Sequence, residues 1–343
     1  MKVKINRVEL LEVLEKLKPL VGRAGNFENS FYFYNDNIFT YNEEACIFYP
    51  FVFLDSEKKF PNCFLPANKL IDVLSIINDT VDIKEENIIF KSKGALGKLK
   101  ILSIPDEIIS IIESFNFEKL IKNKWLKLPK EFIDGISLCL FSVIKNDIIS
   151  CLDCINVNND EIISSDNSRV SRFKISSKIK DSFLIPYNSA KEIIKYSIIE
   201  YQADDTWIYF KTKENIIFCL RRITEKYPEV DTFFNNFKGK NIILPEGLKE
   251  SINTASILAE GDFSLDKEID IIIEDGKIKC IGENNVGLIE AVLSIESKVK
   301  ISFTINPSFF SSILDLSNYM VIGKESVLFK SKNFEHLIAL INN

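Results

Sequence analysis

Histidine is almost missing from this chain: one residue, His336, among 343, alongside two methionines and two tryptophans. That imidazole lies near the C-terminus in a stretch that reads as the last strand, so Ser-His-Asp, Cys-His and two-histidine metal schemes drop out. The phosphate-cradling Walker A, the GxGxxG fingerprint and the GxSxG nucleophile elbow do not occur either. Arginine is scarce, with six (7, 23, 169, 172, 221 and 222) among 43 basic residues. Arginine is the usual reader of guanine edges and lysine a phosphate point charge, so this composition suits sequence-independent contact better than base reading, although an AT-rich genome would also favour Lys over Arg and explain much of the bias. No apolar run reaches the roughly 18 residues of a membrane span. The N-terminal "MKVKINRVELLEVLEKL" carries acidic residues where a signal peptide is purely apolar, so the expected location is the cytoplasm, without membrane contact.

Seven cysteines (46, 63, 139, 151, 154, 219 and 280) are an odd number, set mostly inside apolar patterns, which reads as buried free thiols. Cys151 and Cys154 form a CxxC, but no second pair stands at metal spacing and "IISCLDCINV" alternates like a strand, so neither a metal nor another cofactor is expected. Carboxylates are plentiful but scattered through polar faces. The chain is not read as an enzyme; a carboxylate-metal, DNA-processing enzyme is the enzymatic alternative.

What the sequence does have is repetition. "CFLPANKLIDVL" (63–74) returns as "FLIPYNSAKEII" (183–194) and "FTINPSFFSSIL" (303–314), with Pro66, Pro186 and Asn306 spaced 120 apart. Each phrase is a strand end followed by an amphipathic helix. A second helical phrase begins at Asn6, Pro129 and Pro245, roughly 60 residues ahead of the first each time. Between the helices lie Ile-, Phe-, Tyr- and Val-rich stretches broken by Asn35-Asp36 and Asp275-Gly276, the mark of antiparallel meanders. The reading is α+β: three repeated domains, 1–122, 123–241 and 242–343, each with two helices on antiparallel sheet.

Several phrases then meet a family. "EIISSDNSRVSRF" (161–173) resembles the "ATDGHRLA" strand and turn of the bacterial DNA polymerase III beta subunit, the sliding clamp. In the same order, "VGRAG" (21–25) resembles its Gly-Arg loop, "RRITEKYPEV" (221–230) its segment between second and third domains, and "TASIL" (254–258) the end of the helix opening the third domain. "FTINPSFFSSILDL" is similar to its "iGFNxxYLxDxL". The Gly-His before the arginine is replaced by Asn167-Ser168, the Phe-Pro-Asp by Tyr227-Pro228-Glu229, and the Met-Pro-Met-Arg ending by "LIALINN". The resemblance is therefore to a divergent clamp, of the kind a virus or mobile element encodes, working then in the host cytoplasm.

The resemblance implies a DNA clamp fold and a head-to-tail homodimer, closed as a ring around double-stranded DNA without sequence preference. It implies no catalysis, and binding of a DNA polymerase and a clamp loader through short peptide motifs. A net charge of −6 is compatible with this if positive charge is confined to the inner wall. The expected DNA-facing residues are Arg23, Lys69, Lys145, Lys191 and Lys195, with Lys16, Lys18, Lys130 and Lys249 on the same helices; Lys191 and Lys195, four apart, are read as sharing one helical face. The positions matching the peptide groove are Leu152, Ser165, Asn167, Arg169, Val170, Pro228, Phe233, Leu337 and Ala339. At the dimer interface the matches are Ile257 and Leu258, and "DEIISIIESFNF" (106–117), with Ile108 and Ile111, either docks across that interface or covers its own sheet. The alternative function is a clamp-like DNA-tracking platform for transcription, or for capture of clamp-binding peptides, without a role in polymerase processivity.

Overall fold

One arrangement of two helices and eight strands is written three times in the computed structural model, which describes residues 2–4, 6–22, 29–42, 44–51, 60–76, 80–84, 87–92, 95–115, 120, 122–143, 150–235, 237–263 and 265–341. The first copy runs β1 (Lys2–Lys4), α1 (Arg7–Leu17), β2 (Ser30–Tyr34), β3 (Asn37–Tyr41), β4 (Ala45–Pro50), β5 (Cys63–Pro66), α2 (Ala67–Ile76), β6 (Thr80–Lys84), β7 (Asn87–Ser92) and β8 (Ala95–Lys100). A connecting helix, α3 (Asp106–Ser114), leads to the second: β9 (Leu126–Lys127), α4 (Phe132–Cys139), β10 (Cys154–Asn158), β11 (Glu161–Ser165), β12 (Arg169–Lys174), β13 (Phe183–Pro186), α5 (Tyr187–Ile193), β14 (Ile198–Ala203), β15 (Trp207–Thr212) and β16 (Ile217–Arg221). A one-turn connector, α6 (Asp231–Phe234), leads to the third: β17 (Lys240–Ile243), α7 (Leu248–Ala255), β18 (Ile269–Glu274), β19 (Lys277–Asn284), β20 (Gly287–Ser294), β21 (Ile301–Ile305), α8 (Pro307–Ile313), β22 (Tyr319–Ile322), β23 (Ser326–Ser331) and β24 (Phe334–Ala339).

Local chemistry fixes the element ends. Asn306 caps α8, its side-chain oxygen accepting from Ser308 N and Phe309 N at 2.9 and 3.1 Å, and Pro307 takes the first helical position where no amide is needed. Asn6 caps α1 by accepting from Glu9 N. The turns at Asn35-Asp36 and Asp275-Gly276 hold both residues at positive φ, as two-residue hairpins with right-handed twist require. "IISCLDCINV" is not one strand: Cys151–Asp153 form a 3₁₀ turn, with Asp153 accepting from Ser150 N and Oγ, and β10 begins only at Cys154.

Contacts divide the chain into two compact units, Met1–Ile133 with Asn188–Ile223, and Asp134–Tyr187 with Thr224–Asn343. The first unit holds an eight-stranded sheet, β5-β2-β3-β4-β16-β15-β14-β9, and a four-stranded one, β1-β6-β7-β8. The second holds β13-β10-β11-β12-β24-β23-β22-β17 and the four-stranded β20-β19-β18-β21. Every pairing is antiparallel, so each eight-stranded sheet joins half of one repeat to half of the next.

The register shows how regular this is. One row across the first unit reads Phe64, Tyr32, Phe39, Phe48, Ile217. The matching row in the second reads Leu184, Asn156, Ile163, Arg172, Glu335. The third begins Thr304, Asp270, Ile281, Glu290 and there stops, because β20 is the edge of its sheet. At the other open end, β8 is the edge of the first unit's small sheet.

Each sheet face has its own cover. In the first unit Tyr32, Phe39, Phe48 and Cys219 belong to a core roofed by Ile108, Ile112 and Phe115, the ring of Phe115 meeting that of Phe48 edge-on at 5.5 Å. Helix α3 thus covers its own sheet. Ile108 is buried, and Ile111, partly buried, packs against the same core. Among the described residues no helix is long and apolar enough to cross a membrane.

Candidate partner-binding site

In the second unit, side chains alternate between two faces along β12 and β24. Phe173, Ser171, His336 and Ile338 point one way; Ser171 Oγ and His336 Nδ1 are 2.8 Å apart, and Ser171 meets Ser142 at 2.8 Å. Both serines and the histidine are buried, and burial pushes the imidazole down to about 3, so it is neutral at ordinary pH. Val170, Arg172, Glu335 and Leu337 point the other way, as the pairs Val170–Leu337 and Arg172–Glu335.

The segment between the second and third repeats lies over that second face. Glu225 accepts from Cys151 N at 2.9 Å. Burial, with the Glu225 charge beside it, pushes the Cys151 thiol up and away from reactivity. Tyr227, Val230 and Phe234 are buried, and burial raises the Tyr227 phenol. Arg172 secures the segment: its guanidinium lies 4.1 Å from the centre of the Phe234 ring, donates to Glu335 through Nε at 3.0 Å and again through Nη2, and donates to Asp231 at 3.4 Å. Against the upward push of burial, hydrogen bonds from Arg172 and Lys330 hold the Glu335 carboxyl below its usual range. At Glu161, 3.8 Å from Arg172, burial wins and the carboxyl is raised.

Of the residues expected to form a groove, Pro228 and Phe233 stand exposed on this segment, Phe233 at 52%. Leu152 is half-buried, Asn167 and Ala339 are exposed, and Ser165, Val170 and Leu337 are buried beneath. Arg169 leaves the set. The period of two sends it to the face opposite Val170, where its guanidinium is held by Asp166 at 3.0 and 2.7 Å and lies 3.8 Å from the centre of the Phe309 ring. Arg172, Asp231, Phe234 and Glu335 were not expected here; the signal for Arg172 was its spacing of two from Val170.

The expected DNA-facing lysines share their helices with acids. Exposed Glu9, Glu12 and Glu15 accompany Lys16 on α1, and Asp72 accompanies Lys69 on α2. Lys191 is exposed on α5. Lys195 does not share that helix, which ends at Ile193; it sits in the following turn, bound to both oxygens of Glu192 at 2.8 and 2.7 Å. Lys249 pairs with Asp315. Arg23 and Lys145 lie outside the described residues. Beside β20, Ile257 is 68% exposed and Leu258 is half-buried in the 3₁₀ turn after α7; Gly282 of β19 lets the sheet approach there, since a side chain would collide with the Ala255 carbonyl. Among the described residues no three His, Cys, Asp or Glu side chains converge as a metal site needs.

A thrice-repeated unit whose halves merge into shared sheets is the DNA clamp fold. Over 100% of both chains it superposes on the DNA polymerase III subunit beta from Pseudomonas aeruginosa with a TM-score of 0.81 at 14% identity. The Helicobacter pylori beta clamp bound to a DNA ligase peptide gives 0.77 at 14%, also over 100% of both. The sliding clamp from Bacillus subtilis gives 0.77 at 16%, over 100% of this chain and 99% of that one. No family model and no curated protein matches by sequence.

Proposed function

We propose that the protein is a DNA sliding clamp: a head-to-tail homodimer that encircles duplex DNA and tethers a polymerase through a short peptide docked beside Pro228 and Phe233. The repeats 1–122, 123–241 and 242–343 serve as its domains. The observation that carries this is the unfinished third row. Wherever one repeat follows another along the chain, β4 meets β16 or β12 meets β24, and a row of five residues is completed. Among the described residues, strands β20 and β8 occupy the corresponding places at the edges of their sheets. A second copy supplies both, β20 of each copy pairing with β8 of the other, and the open edges that invite uncontrolled association disappear.

The ring does no chemistry. It holds by enclosure, and the mixture of lysines with Glu9, Glu12, Glu15 and Asp72 on its helices keeps phosphate contact weak and mobile. A polymerase bound through a peptide gains a high effective concentration at the primer end. That the similarly folded Helicobacter pylori clamp takes a DNA ligase peptide supports a peptide as the ligand, and the clamp loader uses the same surface. The working place this implies is the cytoplasm. The test is topological: the protein should stay on nicked circular duplex and be lost when the circle is linearised. Equal retention on both forms rules out enclosure.

A further inference from the structure

We propose that Arg172 is the positioning residue of this peptide site, one that touches no peptide but fixes the segment presenting Pro228 and Phe233. The inference rests on the peptide-binding reading above and adds what sets the geometry of that site.

The comparison between repeats carries it. Arg172 occupies, in the second unit, the place that Phe48 occupies in the first, and Glu335 occupies the place of Ile217. In each unit an aromatic residue from the following connector settles on that place. Phe115 meets Phe48 at 5.5 Å, and Phe234 lies over Arg172 at 4.1 Å. The anchoring point is therefore shared, but its chemistry differs. An apolar contact such as Phe48–Phe115 tolerates sliding and rotation, because dispersion and burial are weakly directional. A guanidinium is planar and its donors leave it in fixed directions. Here those donors reach Glu335 on β24 and Asp231 at the start of α6, Glu161 on β11 stands 3.8 Å away as an ion-pair neighbour, and the flat face takes Phe234.

The consequence falls one step along the same face. Val170–Leu337 is the next pair on that side of the sheet, and Phe233 is the neighbour of the stacked Phe234. Arg172 is 6% exposed, so it is not offered to a ligand, whereas Phe233 is. A group that ties α6 to three strands at one point sets how far Phe233 and Pro228 stand from the Val170–Leu337 floor. With an apolar residue in its place the segment stays attached through Tyr227, Val230 and Phe234 but loses its orientation.

The test uses the full chain and two independent readouts. Arg172→Met removes the directional contacts and keeps the bulk; Arg172→Lys keeps the charge but not the planar fork; Asp231→Asn weakens only the contact to the connector and leaves the buried Arg172–Glu335 pair whole. Hydrogen exchange is followed at the amides of Phe233 and Asn235, which donate to Val230 O and Asp231 O, with the β10–β11 amides as internal reference. Affinity is measured with a fluorescein-labelled hexapeptide bearing adjacent Leu and Phe. Arg172→Met should speed exchange in α6 at least tenfold with the reference amides unchanged, and weaken the peptide at least tenfold. Arg172→Lys should recover part of both, and Asp231→Asn should shift both about threefold. Unchanged α6 exchange in Arg172→Met and Asp231→Asn overturns the proposal, as does faster exchange with unaltered peptide affinity. If Arg172→Met does not fold, Asp231→Asn decides alone by the same criteria. If the wild-type protein fails to bind the hexapeptide, the peptide reading falls, and the exchange arm still decides whether Arg172 orients the segment.

Discussion

Ring closure can be tested at a single backbone amide. In the β18–β19–β20 meander the two-residue turns after Glu274 and Asn284 fix the parity of hydrogen bonding: Gly287, Ile289, Ala291 and Leu293 turn their N–H groups toward β19, and Leu288, Glu290 and Val292 turn theirs to the open edge. The same parity holds at the completed junctions, where Arg221 N donates to Glu44 O at 2.8 Å and Ala339 N to Ser168 O at 2.8 Å. Glu290 holds, in the third row, the place that Phe48 and Arg172 hold in the first and second. Glu290→Pro therefore deletes one donor aimed at β8 of a second copy and leaves the pairing with β19 intact, since edge strands accept proline where the N–H faces outward. One net backbone hydrogen bond is worth about 0.5–1.5 kcal/mol, and a two-fold dimer loses it twice, about 1–3 kcal/mol in all. That weakens the dimer roughly 5- to 160-fold. Glu290→Ala, which keeps the N–H, is the control for the lost carboxylate. Sedimentation equilibrium reads the result against a dimer of twice the 39.4 kDa chain. A dissociation constant for Glu290→Pro equal to that of Glu290→Ala, with both folded, refutes the pairing of β20 with β8.

Further outcomes follow from the two units. Pro228→Ala with Phe233→Ala should weaken capture of the labelled hexapeptide roughly thirtyfold, about 2 kcal/mol for a lost apolar anchor wall, while dimer mass and retention on nicked circles stay at wild-type values. Lys191→Gln should lower the salt slope of DNA association by at most about one ion; an unchanged slope would show that this lysine does not face the phosphates. His336, neutral in the fold and held down to about 3 by burial, binds its proton more readily when unfolded, at about 6.5. Its contribution is complete above that value and fades as pH falls toward 3, at up to about 1.4 kcal/mol per pH unit; denaturant titrations of His336→Gln between pH 6 and 4 should lack that part of the slope.

Much of the fold was legible because it obeys two periods at once. The 120-residue recurrence of Pro66, Pro186 and Asn306 gave the number of repeats, and Asn35-Asp36 and Asp275-Gly276 gave hairpin turns that positive φ values bear out. The sites were less legible, for reasons seen in particular residues. Arg169 lies within a family-like phrase, but only the pairing with Ile338 decides its face, and that pairing joins residues far apart in the chain. Lys195 reads as helical because Lys191 does, yet the helix ends at Ile193 and Glu192 takes the charge. Ile108 looks like an interface residue for its apolarity, a property that serves equally well to roof a sheet.

The three junctions also bear on where the proposed peptide site falls. At the first, α3 brings Ile108, Ile112 and Phe115 and closes the outer face as an apolar core. At the second, the connector is a single turn: it buries Phe234 on Arg172 but leaves Phe233 and Pro228 outside. At the third, β20 ends its sheet among the described residues, and Leu288 and Val292 remain 54% and 46% exposed there. The same strands thus carry a full roof, a partial roof and none. A fully roofed face has no surface left for a ligand, and an unroofed edge is best satisfied by another strand. Among the described residues, the partly roofed junction sets the exposed Phe233 beside the Val170–Leu337 pair, and this is why the proposed peptide site is placed on the second unit.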